Sequence, residues 1–309
     1  MTARLLLLAT SLALATGCSA YRVKSLDPAG KGTEAQTQVA NEEPLLVIDA
    51  HTHTDFSDKH ERTSGITDSK EEYFREWREA GVVGAVSHSS NPEEKQEDLR
   101  AYGVTHCMGM RAKVNVAKVE AGLKSGQYGC LKIYLGYIAQ WAYDPAYEPV
   151  YKLAEKYGVP VVFHTGDTYD QDGFVKYADP LQIDEVAVKH RKVNFVIAHC
   201  GNPWHQTAAQ VAYKNDNVYI ECSAMMIGDI KKEADADLRR YLIDPTSWIF
   251  GYIGNPKKMM FGTDWPLVGI KDYLEAYKRA IPREHWRAVF HDNAVKVFKM
   301  KPLKAPPTP

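Results

Sequence analysis

Five side chains able to ligate a metal or carry a proton each interrupt a short apolar run near its end. The first run closes on Asp49-Ala50-His51-Thr52-His53. Residues two apart on a strand point to the same side, so His51 and His53 are expected to aim both imidazoles at one point. Later runs end alike: VVFHTGD contains His164, FVIAHCGNP contains His199, and MMFGTDWPL contains Asp264. Neutral imidazole and carboxylate together suit a divalent transition metal, zinc above all, with a position left open for water. Such an ion lowers the pKa of its water from about 15.7 to about 7. A neighbouring histidine can then take or return the proton.

A His-x-His pair recurs by chance, and one histidine at a strand end is well explained as a core residue bonded to a backbone carbonyl. Five residues at corresponding strand ends are not explained that way. Lys132, in GCLKIYLGY, is a possible sixth member. A lysine inside an apolar run is costly unless it faces a polar mouth. The reading preferred for it is a rim lysine that pairs with substrate or with Asp264. His88 ends the second run, where it either lines the pocket or lies on a surface loop. His106 sits inside the third run and reads as a packed histidine. Glu221 ends the seventh, with nothing to separate substrate binding from a structural carboxylate. Tyr134, Tyr137, Trp141, Tyr143, Tyr169, Phe174 and Tyr177 follow the fourth and fifth runs, as an apolar mouth or as ordinary loop packing.

Eight elements must carry these residues. Apolar, β-branched runs at 45–50, 82–87, 104–109, 129–135, 159–164, 193–199, 217–222 and 258–263 read as strands. Between and after them, helices are expected over 68–80, 91–101, 115–125, 145–157, 182–190, 204–214, 235–243, 270–281 and 283–299, with Gly158 as a stop signal. Strands apolar on both faces and separated by helices mean a parallel sheet covered on both sides. Eight such units over about 255 residues match a closed (β/α)₈ TIM barrel. An open doubly wound sheet would want a glycine-rich loop after the first strand, and here that strand ends in His-Thr-His.

Of 309 residues, 38 are Lys or Arg and 39 are Asp or Glu, a net charge of −1 that excludes a nucleic-acid binder. The expected partner is a small-molecule substrate. A hydrophobic fraction of 45% allows a sizeable core. Residues 1–17 read as a signal peptide, with Arg4 before an apolar stretch over 5–15 that is too short to span a bilayer. Ala15-Thr16-Gly17-Cys18 resembles a bacterial lipobox, which makes Cys18 the lipid anchor and the membrane a partner through that lipid alone. Ser19 follows Cys18, and resemblance to Gram-negative lipoproteins then implies the outer membrane, on its periplasmic or surface side. Residues 18–44 read as a polar tether, 45–300 as the barrel and 301–309 as a flexible tail. Cys107, Cys130, Cys200 and Cys222 each lie in or beside an apolar run, and are expected to be small buried hydrophobes, not a disulfide framework.

Taken together, DAHTH, VVFHTG, AHCG, FGTDWP and the closing HDNAVKVF resemble the amidohydrolase superfamily. The likeness is to its amidohydrolase-related branch, which includes the aminocarboxymuconate-semialdehyde decarboxylase-like enzymes. The resemblance implies one metal held by His51, His53, His164 and Asp264. It implies His199 as the residue that polarises or deprotonates the metal's water, with Asp264 also exchanging protons. Some members carry a carboxylated lysine on the fourth strand that bridges two metals, an alternative role for Lys132. The implied activity is hydrolysis, with metal-bound hydroxide attacking an amide, lactone or ester carbonyl. Decarboxylation at the same site is the alternative, and a non-catalytic metal- or ligand-binding lipoprotein is a third reading.

Overall fold

The computed structural model describes residues 44–94 and 96–307. The signal peptide, Cys18 and nearly all of the tether lie outside the described residues. Eight parallel strands run in order: β1 Val47–Thr52, β2 Val82–His88, β3 Val104–Met110, β4 Cys130–Ile133, β5 Val161–Phe163, β6 Phe195–Ile197, β7 Val218–Glu221 and β8 Met259–Met260. The sheet closes on itself, since Ala50 N–H donates to Phe261 O at 2.9 Å and Asp264 N–H to His51 O at 2.8 Å. The fold is thus the expected TIM barrel.

Helices α1 Lys70–Ala80, α2 Val116–Lys124, α3 Leu135–Ile138, α4 Glu148–Tyr157, α5 Gln182–Lys189, α6 His205–Lys214, α7 Asp235–Leu238, α8 Asp244–Ile253, α9 Ile270–Lys278 and α10 Asn293–Phe298 are packed around the barrel. Their ends follow local chemistry. Ser69 caps α1 by accepting from Glu72 N–H, and Gly81, at φ 73°, ends it in the left-handed region. The face between buries Tyr73, Phe74, Trp77 and Ala80. Gly158 ends α4 in the same way, at φ 62°.

Three expectations change. Among the described residues of 91–101 there is no α-helix, and a short 3₁₀ turn, Arg100–Tyr102, precedes β3. Pro92 and the side-chain-to-backbone bonds of Asn91 and Glu94, to Glu93 N–H and Ser90 N–H, hold the chain in turns instead. The helix expected over 235–243 continues through a π turn, Arg239–Ile243, into α8. The cysteines are buried, as expected, but they are paired. Cys107 and Cys130 face each other across β3 and β4 with Cα atoms 4.3 Å apart. Cys200 and Cys222 join the ends of β6 and β7 at 4.6 Å. Sequence spacing hid both pairs, because partners on neighbouring parallel strands are a whole β/α unit apart. In the tail, Leu303 N–H donates to Val83 O at 2.8 Å, and its side chain packs against the barrel interior.

Candidate active site

Strand alternation builds the site. An apolar plug of Ile48, Ala50, Val86, Cys107, Cys130, Val162, Val196 and Met260 fills the barrel interior. Two residues further toward the C-terminal mouth, the same faces carry other chemistry: His88 after Val86, Lys132 after Cys130, His164 after Val162. Asp264 follows Met260 by four. Gly262 lies between them because a Cβ there would stand 2.9 Å from Glu221 Oε2 and 3.0 Å from His51 Cβ. His199 reaches the layer by another route. At φ 58° its backbone is left-handed, as is that of Cys200 at 50° and Asp264 at 70°. Strained conformations at non-glycine residues gather at functional sites.

Donor atoms of His51, His199 and Asp264 all lie within 4.8 Å of one another. His53 Nε2 is 3.1 Å and His51 Nε2 3.5 Å from Asp264 Oδ1. His164 Nδ1 is 3.0 Å from His199 Nε2. All five sequence-derived residues therefore meet, and His199 belongs to the compact donor group along with His51 and Asp264.

These residues fit a cation. His51 Nδ1 lies 2.6 Å from Glu221 Oε1, and both side chains are buried. Burial pushes the Glu221 pKa up to about 7, opposed by the nearby Lys132 and by Ser223. Glu221 accepts from His199 N–H at 3.2 Å and Ser223 N–H at 2.7 Å, contacts that favour its carboxylate form. The His51 proton then sits on Nδ1, and Nε2 turns a bare lone pair toward Asp264. His164 Nε2 lies 2.7 Å from the Asp167 carbonyl, which can only accept, so its Nδ1 is bare as well. Bare nitrogens and a carboxylate converging on one space are the donor chemistry that suits a positive ion.

The electrostatics agree. Burial pushes His51, His88 and His164 well below the usual histidine range, and His199 down to about 4, so these imidazoles are neutral at physiological pH. Burial opposes the charged form of His53, but the Asp264 carboxylate outweighs it and raises the pKa. Burial likewise opposes ionisation of Asp264, and contact with His53 wins, holding it well below the carboxylate range. Lys132, fully buried, places Nζ 3.5 Å from His51 Nε2 and 4.9 Å from the centre of the Tyr134 ring. Burial lowers its pKa, opposed by Glu221 and Asp264.

The weaker candidates divide. His88 is buried in the site, its ring 4.1 Å from His51, with Nε2 3.3 Å from Ala50 O. His106 packs outside the barrel interior, accepting from Leu99 N–H at 3.2 Å. Tyr134 stacks on His164 at 5.5 Å, and Tyr137 meets it edge-on at 5.0 Å. Trp141, Tyr143, Phe174 and Tyr177 form a second aromatic group, while Tyr169 is exposed. Sequence reasoning left Glu221 without a role and missed Ser223, whose Oγ lies 2.9 Å from His199 Nδ1. Alternation along β7 was the available signal, since both residues share the inward face. Asp49 is a brace and not a ligand: it accepts from Thr263 N–H and Oγ at 3.0 and 2.6 Å, joining β1 to the chain beyond β8.

A parallel (β/α)₈ barrel with histidines and an aspartate converging at its C-terminal mouth defines the class of metal-dependent TIM-barrel enzymes. Within that class the chain belongs to the amidohydrolase family, which it matches over residues 48–300. No curated protein matches it in sequence. Several solved structures share its fold. An uncharacterised TIM-barrel protein from Bordetella bronchiseptica is 19% identical, with a TM-score of 0.65, 82% of this chain covered and 99% of that one. A probable 2-pyrone-4,6-dicarboxylic acid hydrolase from Acinetobacter baumannii, solved with citric acid bound, is 15% identical, with a TM-score of 0.61 and coverage of 82% and 99%. A 5-carboxyvanillate decarboxylase from Sphingomonas paucimobilis is 14% identical, with a TM-score of 0.58 and coverage of 84% and 100%.

Proposed function

We propose that this protein is a metal-dependent hydrolase that opens an amide, lactone or ester of a small molecule. The observation that carries the reading is the buried donor group His51, His199 and Asp264, oriented from behind by Glu221. His51, His53, His164 and Asp264 would hold one divalent ion, zinc by the preference of imidazole and carboxylate donors. When bound, the ion supplies Lewis acidity, activating a water and polarising the substrate carbonyl.

The remaining work falls to side chains. His199 accepts the proton, because burial keeps its imidazole neutral. Ser223 Oγ, beside Nδ1, can donate or accept, so His199 can change tautomer without losing its partner. Asp264, held ionised by His53, can take the proton on or return it to the leaving group. Lys132 contributes positive charge at the floor of the site and needs no carboxylation for that role. In location the protein is proposed to be a lipoprotein of the bacterial envelope, anchored through Cys18. Two disulfides support an oxidising compartment. Among the described residues no helix is long and apolar enough to cross a membrane.

The test is metal analysis of the purified protein, followed by a turnover screen on lactones, amides, esters and carboxylated aromatics. About one ion per chain and a new acid released without carbon dioxide support hydrolysis. Carbon dioxide release from a carboxylated aromatic would replace it with decarboxylation. Bound metal with no turnover on any class would favour a binding protein.

A further inference from the structure

We propose that the Cys200–Cys222 disulfide is a positioning clamp of the metal centre, fixing His199 against Glu221; this rests on the metal-centre reading above. Cys200 directly follows His199, and Cys222 lies between Glu221 and Ser223. Both sulfurs are buried in the layer between sheet and helices, while the flanking residues point inward. The polar bridges between the same two strand ends lie on the other side. His199 N–H donates to Glu221 Oε1 at 3.2 Å, and Ser223 Oγ lies 2.9 Å from His199 Nδ1. The strand ends are therefore joined twice, covalently behind the site and by hydrogen bonds within it. A third contact steadies the β7 end, where Tyr273 Oη–H donates to the Cys222 carbonyl at 2.6 Å.

The clamp has something to hold. His199, Cys200 and Gly201 are consecutive left-handed residues, at φ 58°, 50° and 65°. For the two that are not glycine this backbone is unfavourable and persists only where surroundings impose it. The β6 strand ends at Ile197, so no ladder bond of β6 fixes His199. It is fixed by the disulfide at the next residue, by Glu221 and Ser223 across the seam, by His164, and by the Asn202 N–H that donates to its carbonyl at 2.9 Å. Glu221 in turn sets the tautomer of His51, so a shift of either strand end reaches two of the three donors in the compact group. In forming the bond, the two thiols give up two protons and two electrons to a disulfide-bearing oxidant, which becomes its dithiol.

The other disulfide is an internal control. Cys107–Cys130 closes a loop of nearly the same length, with sequence separations of 23 against 22. The chain-entropy contribution depends on that length, so the loop-closure parts of the two bonds are expected to be about equal, and denaturation of both double variants measures what remains. Cys107 and Cys130 sit in the apolar plug, below the polar layer. A difference in metal binding between variants lacking one or the other bond therefore reports position and not stability.

The experiment begins with alkylation of the unfolded, unreduced chain. Four blocked cysteines among positions 107, 130, 200 and 222 would overturn the clamp at once; none is expected. Zn²⁺ affinity is then measured by competition with a chromogenic chelator on wild type, Cys200→Ala/Cys222→Ala and Cys107→Ala/Cys130→Ala. The first variant should bind about 10- to 100-fold more weakly, the range seen when outer partners of metal ligands are removed. The second should stay within about threefold of wild type. Replacing Cys200 with Gly in the first variant should recover part of the loss, because glycine takes the left-handed backbone freely. Equal affinities in all three proteins, or equal losses in both double variants, would overturn the proposal.

If the first variant does not fold, folded wild type is treated with a phosphine. The phosphine takes oxygen from water and leaves two thiols, and affinity is read against the count of thiols released at Cys200 and Cys222. Affinity that does not change with that count would overturn the clamp. If wild type binds no Zn²⁺, the metal reading fails alone. Hydrogen exchange at His199 N–H and Ser223 N–H then decides the clamp, since both donate to Glu221 without any ion. Those two amides should lose protection in the Cys200/Cys222 variant only.

Discussion

At the scale of single residues, the site holds four imidazoles kept neutral by burial, those of His51, His88, His164 and His199, with His53 paired to the ionised Asp264 carboxylate. His51→Ala, His53→Ala, His164→Ala and Asp264→Ala are each expected to lower bound metal, read by elemental analysis. Full occupancy in any two of them would mean a different ligand set. His199→Ala should keep about one ion per chain and lose on the order of a hundredfold in kcat, the usual scale of proton-transfer catalysis. Because His199 also stands within the compact donor group, its metal content separates base from ligand. Lys132→Ala should likewise keep one ion. Two ions per wild-type chain, falling on either substitution, would instead assign Lys132 as a carboxylated bridge. Glu221→Gln should weaken metal binding about 10- to 100-fold, since its carboxylate orients His51. The five rim residues were legible because each breaks an apolar run. Glu221 was not, because a carboxylate after an apolar run has the same appearance whether it meets solvent or a histidine 170 positions away.

Elements place those residues, and their seams carry testable load. On β3, a Cβ at Gly109 would stand 2.4 Å from Ser89 O and 2.5 Å from Asn91 N, both backbone atoms. Gly109→Ala must therefore displace the turn after β2, and is expected to cost about 1–3 kcal/mol in chemical denaturation. At the seam of α1 with the chain after β8, buried Glu76 accepts from Ile270 N–H at 2.6 Å and Trp265 Nε1–H at 3.4 Å. Burial pushes its pKa up to about 7 from 4.5. Between those values the folded chain keeps a proton that the unfolded chain has lost, so stability falls as pH rises. The part due to Glu76 is at most about 3 kcal/mol. Glu76→Gln should flatten that part of the slope when melting is compared near about pH 5 and about pH 8. An unchanged slope would show that Glu76 stays ionised in the folded protein. Strand positions were readable to within a few residues, because buried parallel strands are apolar throughout. The segment 91–101 was misread because its spacing permits a helix, while Pro92 and side chains that bond to neighbouring backbone do not. The pairing of cysteines depends on which strands become neighbours and in what register, which local pattern does not encode.

For the whole molecule, the sequence reading makes the barrel and its anchor independent. Wild type made in a Gram-negative host is expected in the detergent phase of a membrane fraction, with lipid mass at Cys18, and Cys18→Ala should be soluble or unprocessed. A wild-type protein found entirely soluble and without added mass would remove the envelope assignment and leave the site untouched. The proposed ligands come from opposite ends of the barrel sequence. His51 and His53 come from the first strand and Asp264 from just beyond the last, more than 200 residues later. Only the closed seam, with Asp49 bonded to Thr263, brings them within reach of one ion. On the proposed ligand set, a growing or partly threaded polypeptide would hold the two histidines of the first strand and lack the carboxylate. Tight metal capture would therefore be a late event, and the captured ion would latch together the two edges of the barrel seam.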